Sequence, residues 1–166
     1  MTRKDGSQKI KMYYPDKIIS GGQTGVDRAG LDAAMEAGLP VGGYVPKGRL
    51  AEDGCVPDKY PMTETASTNY RVRTRRNVVK SDGTLIINSG ELRGGTALTA
   101  RLAREKNKPL MIVRLDLFCE PSEVIQWLKD NHIHTLNIAG PRESESPGIY
   151  MKAKDFLLKI LFRKRR

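Results

Sequence analysis

The chain has 166 residues, a formal net charge of +10 and two cysteines. This length fits one domain, and because no run of about 18 residues is wholly apolar, the sequence excludes a transmembrane helix. The polar N-terminal residues lack the apolar segment of a signal peptide and the two cysteines are far apart, so we expect a cytoplasmic protein with free thiols.

The positive charge lies at the two ends of the chain. Residues 1–17 carry five Lys or Arg and two acidic residues, and residues 152–166 carry seven and one. A nucleic-acid-binding domain needs a basic face with stacking aromatics or a groove-binding helix, and the middle of this chain is nearly neutral. We therefore expect no nucleic-acid partner, and predict a basic tail over 1–16, a domain over 17–162 and a second basic tail over 163–166.

Strand-like and helix-like patterns alternate along the domain. The predicted strands are 17–20, 40–45, 83–88, 109–115 and 135–139, and the predicted helices are 26–37, 68–80, 95–107, 121–131 and 147–162. This order predicts an α/β fold with a mainly parallel sheet of five or six strands and helices on both faces.

Three local features predict how one strand, one connection and the last helix are arranged. The apolar strand 109–115 is of the kind that is covered on both faces. The connection 46–70 has little periodicity, as in functional or disordered loops. Ser146 before Pro147 predicts the start of the last helix.

A glycine-rich turn lies between the first predicted strand and the first predicted helix. It contains Gly21, Gly22, Gln23, Thr24, Gly25 and Asp27. Glycine permits tight turns and close approach to a ligand, and the following helix directs unpaired N–H groups and its positive dipole end at the turn. Asp27 either contacts a ligand or only interacts with this dipole.

The arrangement is repeated after the third predicted strand. There the turn and the helix start contain Ser89, Gly94, Gly95 and Thr96. In a parallel sheet such turns converge at the carboxyl ends of the strands, so the two turns together predict a crevice that binds phosphate or another anion. For each turn alone, a simple tight connection is the alternative interpretation.

Further polar candidates follow other predicted elements. The cations are Lys47, Arg49, Arg73 and Arg142; the carboxylates are Glu52, Asp53 and Glu143; Asn77 lies with Arg73 on helix 68–80. Arginine and lysine neutralise phosphate oxygens, and a carboxylate can contact hydroxyl groups or act as a general acid or base. His132 and His134 lack a nearby third ligand, so we predict no metal site.

These motifs resemble the putative molybdenum carrier family, a circularly permuted branch of a Rossmann-like nucleotide-binding superfamily. The matching segments are 19–28, 46–49, 51–54, 73–74, 77–78, 81–82, 94–100, 139–142 and 147–150. That superfamily includes lysine-decarboxylase-like phosphoribohydrolases, which release cytokinins from their nucleotides. The resemblance implies a single Rossmann-like domain.

The family name refers to similarity with a protein that binds molybdenum cofactor, a pterin with a terminal phosphate. The resemblance thus implies a small phosphorylated ligand, nucleotide-like or pterin-like, with molybdenum cofactor as one candidate. Gly21, Gly22, Gly25, Gly94, Gly95 and Thr96 would donate to its phosphate, Lys47, Arg49, Arg73 and Arg142 would neutralise it, and Gln23, Asp27 and Asn77 would contact its polar edges. We also expect a homo-oligomer, a dimer or a tetramer.

The activity is open at this point. In the phosphoribohydrolases a catalytic Glu stands three residues after the Thr of the Gly-Thr turn, and Thr99 occupies that position here. A carrier or sensor is therefore the first hypothesis. The alternative is a nucleoside-phosphate N-glycoside hydrolase that uses Glu52, Asp53 or Glu143, and the third is a nucleic-acid-binding module.

Overall fold

The computed structural model describes residues 12–162. Its strands are β1 (Lys17–Ile19), β2 (Val41–Gly42), β3 (Tyr44–Val45), β4 (Leu50–Ala51), β5 (Gly54–Cys55), β6 (Thr63–Glu64), β7 (Gly83–Asn88), β8 (Leu110–Arg114) and β9 (Thr135–Ala139). Its helices are α1 (Val26–Glu36), α2 (Tyr70–Lys80), α3 (Gly94–Glu105), α4 (Pro121–Asp130) and α5 (Ile149–Leu161).

Five of these strands form one parallel sheet in the order β2-β1-β9-β7-β8. Helices α1, α4 and α5 pack together, and α2 packs against α3. Because β1-α1-β2 and β7-α3-β8 run towards opposite edges and such crossovers are right-handed, the two helix groups cover opposite faces. The predicted α/β fold with a parallel sheet is confirmed.

This topology places a crevice at the carboxyl end of β9. The chain leaves β1 towards one sheet edge and leaves β7 towards the other, so the loops after these strands separate on either side of β9. Such switch points are where open α/β sheets bind their ligands. The starts of α1 and α3 both face this region.

The main core lies between the sheet and helices α1, α4 and α5. On α1, Val26, Ala29 and Ala33 are fully buried, and α5 contributes Ala153 and Leu157 to the same cluster. Small residues on α1 let α5 approach closely, because ridges of one helix fit the grooves of the other. This packing fixes the start of α1 at the crevice.

The connection between 46 and 69 is more ordered than its sequence predicted. It contains the β4–β5 hairpin and β6, and its Ala51, Val56 and Tyr60 form a second apolar cluster with Leu31 and Val45. The predicted strand 40–45 is also divided in two, because Gly43 has φ +126° and a Cβ there would lie 2.1 Å from the Ser20 carbonyl oxygen. Only β2 joins the central sheet, while β3 pairs with β6.

Two other predictions are corrected in part. Strand β8 contacts α3 and contributes Val113 to the main core, but it lies at the sheet edge, so its other residues are only half-buried rather than fully covered. Helix α5 begins at Ile149 rather than after Ser146, because Gly148 precedes it in the left-handed conformation. Residues 1–11 and 163–166, which hold most of the two predicted tails, lie outside the described residues.

Within residues 12–162, the helices are too short or too polar to cross a membrane.

Candidate functional site

Two cavities lie where β1, β7 and β9 end. The larger, of about 460 Å³, is lined by Asn88, Ser89, Gly90, Glu91, Arg93, Thr96, Pro141, Glu145 and Ser146. The smaller, of about 60 Å³, is lined by residues that include Gly21, Asp27, Arg73, Asn77, Gly95, Thr96 and Thr99. The two cavities adjoin at Thr96, and the larger has the size of a small-molecule site.

The first glycine turn uses its own N–H groups internally. Gly22 donates to Ser20 Oγ at 3.3 Å, Gln23 donates to Asp27 Oδ2 at 3.2 Å, and Thr24 donates to Gln23 Oε1 at 3.1 Å. These three donors are thus engaged within the protein. The predicted phosphate contacts of this turn stay a prediction.

Close packing accounts for the glycines of this turn. A Cβ on Gly21 would lie 2.6 Å from Arg73 Nη1 and 2.9 Å from Asp27 Oδ2. Gly25 has φ +78°, and its Cβ would lie 2.4 Å from the Pro141 carbonyl oxygen. Larger residues would push apart the groups that line the small cavity.

The second glycine turn is open. No described residue accepts a hydrogen bond from the N–H groups of Gly94 and Gly95, and the first bonds of α3 run from Thr96 and Ala97 to the Arg93 carbonyl oxygen. A Cβ on Gly94 or Gly95 would meet nothing within 4 Å. The start of α3 therefore presents unpaired donors and the positive dipole end to the crevice.

Two buried charged side chains, Asp27 and Arg73, line the small cavity. Asp27 and Arg73 are only 7% and 8% exposed. Arg73 donates to the Gly21 carbonyl oxygen, and its Nε donates to Thr74 Oγ1 at 3.2 Å. Burial raises the pKa of Asp27 to about 6, against the lowering effect of nearby Arg73, and burial lowers the pKa of Arg73. Both shifts follow from poor solvation of charge.

Tyr70 connects the two arginines of the site and was missed by the sequence analysis. Its ring lies 5.1 Å from the Arg73 guanidinium and 5.9 Å from that of Arg142. The signal available in the sequence was the spacing of Tyr70 and Arg73, three residues apart on one helix. Arg142 also approaches Glu145 Oε1 to 3.3 Å, so its charge is shared.

The three predicted acid-base candidates are all engaged elsewhere. Glu52 accepts hydrogen bonds from the hydroxyls of Thr24 and Ser144. Asp53 forms a bidentate pair with Arg28, whose hydrogen bonds lower the pKa of Asp53. Glu143 accepts from the N–H groups of Gly148 and Tyr150 at 2.5 and 3.0 Å, at the start of α5.

Two of the remaining candidates, Arg49 and Lys47, lie away from both cavities. Arg49 donates to the carbonyl oxygens of Val56, Pro57 and Tyr60, and Lys47 is exposed; neither lines the two cavities.

Asn77 does line the small cavity, although its amide is held by both backbone polar groups of Tyr44. Thr99 lines it too, with its hydroxyl donating to the Gly95 carbonyl oxygen at 2.9 Å. Between residues 12 and 162, no group of three or more His, Cys, Asp or Glu side chains is arranged to hold a metal ion.

Comparison with known proteins places this geometry in context. The model of the circularly permutated YpsA SLOG family matches residues 18–161. The chain is 46% identical to a crystallised protein from Syntrophus aciditrophicus SB described as a putative molybdenum carrier protein, with a TM-score of 0.88 over 92% of this chain and 98% of that one. No curated protein matches the chain. The resemblance identified from the sequence is confirmed.

Proposed function

The chain belongs to the circularly permutated YpsA SLOG family, and we propose that it binds a phosphorylated nucleotide-like or pterin-like ligand as a carrier or sensor. The observation that carries this proposal is the open start of α3 beside buried Arg73. Gly95 and Arg73 line the same small cavity, and no described residue accepts from the Gly95 N–H group. Unpaired helix N–H groups and a guanidinium both favour an anion.

The larger cavity suits the heterocyclic part of such a ligand. Its volume of about 460 Å³ is adequate for a nucleobase or a pterin, and the carboxylates of Glu91 and Glu145 line it. These carboxylates accept hydrogen bonds from ring N–H and amino groups, and because they outnumber Arg93, the one cation in the same lining, the larger cavity has no positive charge in excess to hold a phosphate. We therefore place the phosphate at the α3 start and the heterocycle in the larger cavity, with Thr96 between them.

Molybdenum cofactor is one ligand that matches this donor set. The description of the Syntrophus relative as a molybdenum carrier supports this choice. As cargo, the cofactor would be held through its phosphate and its pterin ring, by the same groups that would hold a nucleotide. Mass spectrometry of the small molecules that co-purify with the protein distinguishes the two classes.

Titration calorimetry tests the proposal directly. We expect saturable binding of AMP, and we expect the Arg73→Gln variant to weaken it at least tenfold, because a charge-assisted contact contributes roughly 1.5–3 kcal/mol. Arg75→Gln is the matched control, since Arg75 lies on the same helix but is exposed. The proposed site would be contradicted if none of AMP, GMP and isolated molybdenum cofactor bound. It would also be contradicted if a ligand bound with an affinity that neither substitution changed.

A further inference from the structure

We infer that the Asp27 carboxylate contacts the ligand, accepting a hydrogen bond from a hydroxyl or amino group close to the ligand's anionic group. This inference rests on the proposed function and narrows its ligand class. The ligand is then a phosphate ester with a hydrogen-bond donor near the ester, as in a ribose phosphate. A simple oxyanion or an alkyl phosphate does not satisfy the site.

Asp27 is buried in the lining of the small cavity and has one carboxylate oxygen without a donor from the described part of the chain. Its side chain lines the small cavity together with Arg73, Gly95 and Thr96, and the residue is only 7% exposed. Among the described residues, its carboxylate receives one hydrogen bond, from the Gln23 N–H group to Oδ2 at 3.2 Å. The second oxygen, Oδ1, is left without a donor from residues 12–162.

Asp27 also forms no ion pair with a residue between 12 and 162. Within the part of the chain that the structure describes, no Lys, Arg or His nitrogen lies within 4.0 Å of the Asp27 carboxylate, although Arg73 and Arg142 interact with it at longer range. Buried carboxylates are normally paired or well hydrogen-bonded, because desolvation destabilises the charged form. Poorly satisfied buried charges are concentrated at functional sites.

Of the carboxylates near the small cavity, Glu52, Asp53 and Glu143 lack this free capacity, whereas Glu91 and Glu145 line only the larger cavity, where we place the heterocycle. Glu52 accepts from Thr24 and Ser144, Asp53 is bidentate with Arg28, and Glu143 accepts from two backbone N–H groups of the α5 start. Each of these three carboxylates has a hydrogen-bond donor on both oxygens, whereas Asp27 Oδ1 has none among residues 12–162.

The small cavity has room for little more than a phosphate and is lined by charges of both signs. Its volume of about 60 Å³ accommodates a phosphate-sized group but leaves that group close to Asp27. A bare anion would be attracted by Arg73 and repelled by the carboxylate. An anion with a neighbouring donor satisfies both residues. Burial raises the pKa of Asp27 to about 6, and a donated hydrogen bond stabilises its charged form.

The test compares ribose 5-phosphate with ethyl phosphate, two phosphate monoesters of equal charge, by calorimetry at pH 8. We expect the wild type to bind ribose 5-phosphate at least about tenfold more tightly, because a hydrogen bond to a charged group contributes roughly 1.5–3 kcal/mol. The isosteric Asp27→Asn variant should reduce this preference to less than about threefold and leave ethyl phosphate binding equal or stronger. Asp53→Asn is the control and should retain the preference.

The outcomes separate this inference from the proposed function. If the wild type binds both esters equally, or if Asp27→Asn retains the preference, the inference is wrong. It is also wrong if Asp27→Asn weakens both esters by the same factor, because Asp27 then only shapes the cavity. The wild-type comparison decides the matter even if the variant does not fold. If the wild type binds neither ester and none of AMP, GMP and isolated molybdenum cofactor, the proposed function itself fails.

Discussion

Arg73 donates a hydrogen bond from its guanidinium to the carbonyl oxygen of Gly21, 52 positions earlier in the chain. This contact joins helix α2 to the first glycine turn, and both partners are buried. The same side chain lines the small cavity. Arg73 therefore has two roles, since it holds the turn in place and supplies positive charge to the crevice.

Replacing Arg73 tests its structural role. We expect Arg73→Ala to lower the free energy of unfolding by about 1–3 kcal/mol, because the Gly21 carbonyl group loses its donor in a buried environment. The exposed Arg75 on the same helix is the control, and Arg75→Ala should change stability by less than about 0.5 kcal/mol. Urea denaturation measures both values. Equal effects of the two substitutions would show that the Gly21 contact is unimportant for stability.

Gly25 and Gly38 form a matched pair that separates backbone strain from steric clash. Their φ angles are +78° and +77°, but a Cβ on Gly25 would lie 2.4 Å from the Pro141 carbonyl oxygen, whereas one on Gly38 meets nothing within 4 Å. Gly38→Ala should destabilise by roughly 1–2 kcal/mol, the ordinary penalty for a left-handed residue. Gly25→Ala should add a clash with backbone and destabilise far more. Similar melting temperatures for the two variants would contradict this packing.

The sequence predicted the elements whose patterns are local. Strands β7 and β9 agree with their predicted bounds, because each is a short segment rich in Leu, Ile and Thr that is followed by a glycine-containing turn. The division of strand 40–45 at Gly43 was not predictable, since it depends on contact with Ser20 across the fold. For the same reason, the sequence did not predict that the N–H groups are hydrogen-bonded in the first glycine turn and unpaired in the second. Their sequences look alike, and only the folded chain engages the N–H groups of Gly22, Gln23 and Thr24.

Gly95 offers a substitution that should separate stability from binding. It lies in the first turn of α3, and a Cβ there meets nothing within 4 Å. Alanine in place of glycine in a helix stabilises by roughly 0.5–1 kcal/mol, so Gly95→Ala should raise the melting temperature. The added methyl group would enter the proposed phosphate position, so AMP binding should weaken about tenfold. Unchanged affinity in the stabilised variant would place the phosphate elsewhere.

Asp27 should make stability depend on pH in an identifiable direction. Its pKa is raised from 3.8 to about 6 in the folded protein, so the folded state holds this proton more tightly than the unfolded state. The resulting destabilisation is absent below pH 4, grows between pH 4 and 6, and is complete above pH 6, where it amounts to about 3 kcal/mol at most. Asp27→Asn should therefore be more stable than the wild type at pH 7.5, with the gain shrinking towards pH 4.

Denaturation curves at several pH values measure this gain. Asp53→Asn is a suitable control, because Arg28 lowers the pKa of Asp53 and removal of that carboxylate should give no gain at pH 7.5. A gain for Asp27→Asn that is constant with pH would mean that the carboxylate titrates normally in the folded protein.

A carrier and a hydrolase differ in turnover. Thr99, at the position of the phosphoribohydrolase Glu, donates its hydroxyl to the Gly95 carbonyl oxygen at 2.9 Å and carries no carboxylate to accept or supply a proton. General acid-base catalysis contributes about 10²–10⁴-fold to rate, so its loss should leave no appreciable release of base from AMP or GMP. Binding should persist, because helix N–H groups and Arg73 hold phosphate without proton transfer.

Chromatographic detection of free base, beside thermal shift with the same nucleotides, separates these outcomes. We expect a raised melting temperature and no base release by the wild type. The variants to compare are Glu52→Gln, Asp53→Asn, Glu143→Gln and Asp27→Asn, because the first three are the acid-base candidates of the sequence and Asp27 lines the small cavity. Turnover by the wild type that one of these substitutions abolishes would overturn the carrier proposal and identify the residue that replaces the missing Glu.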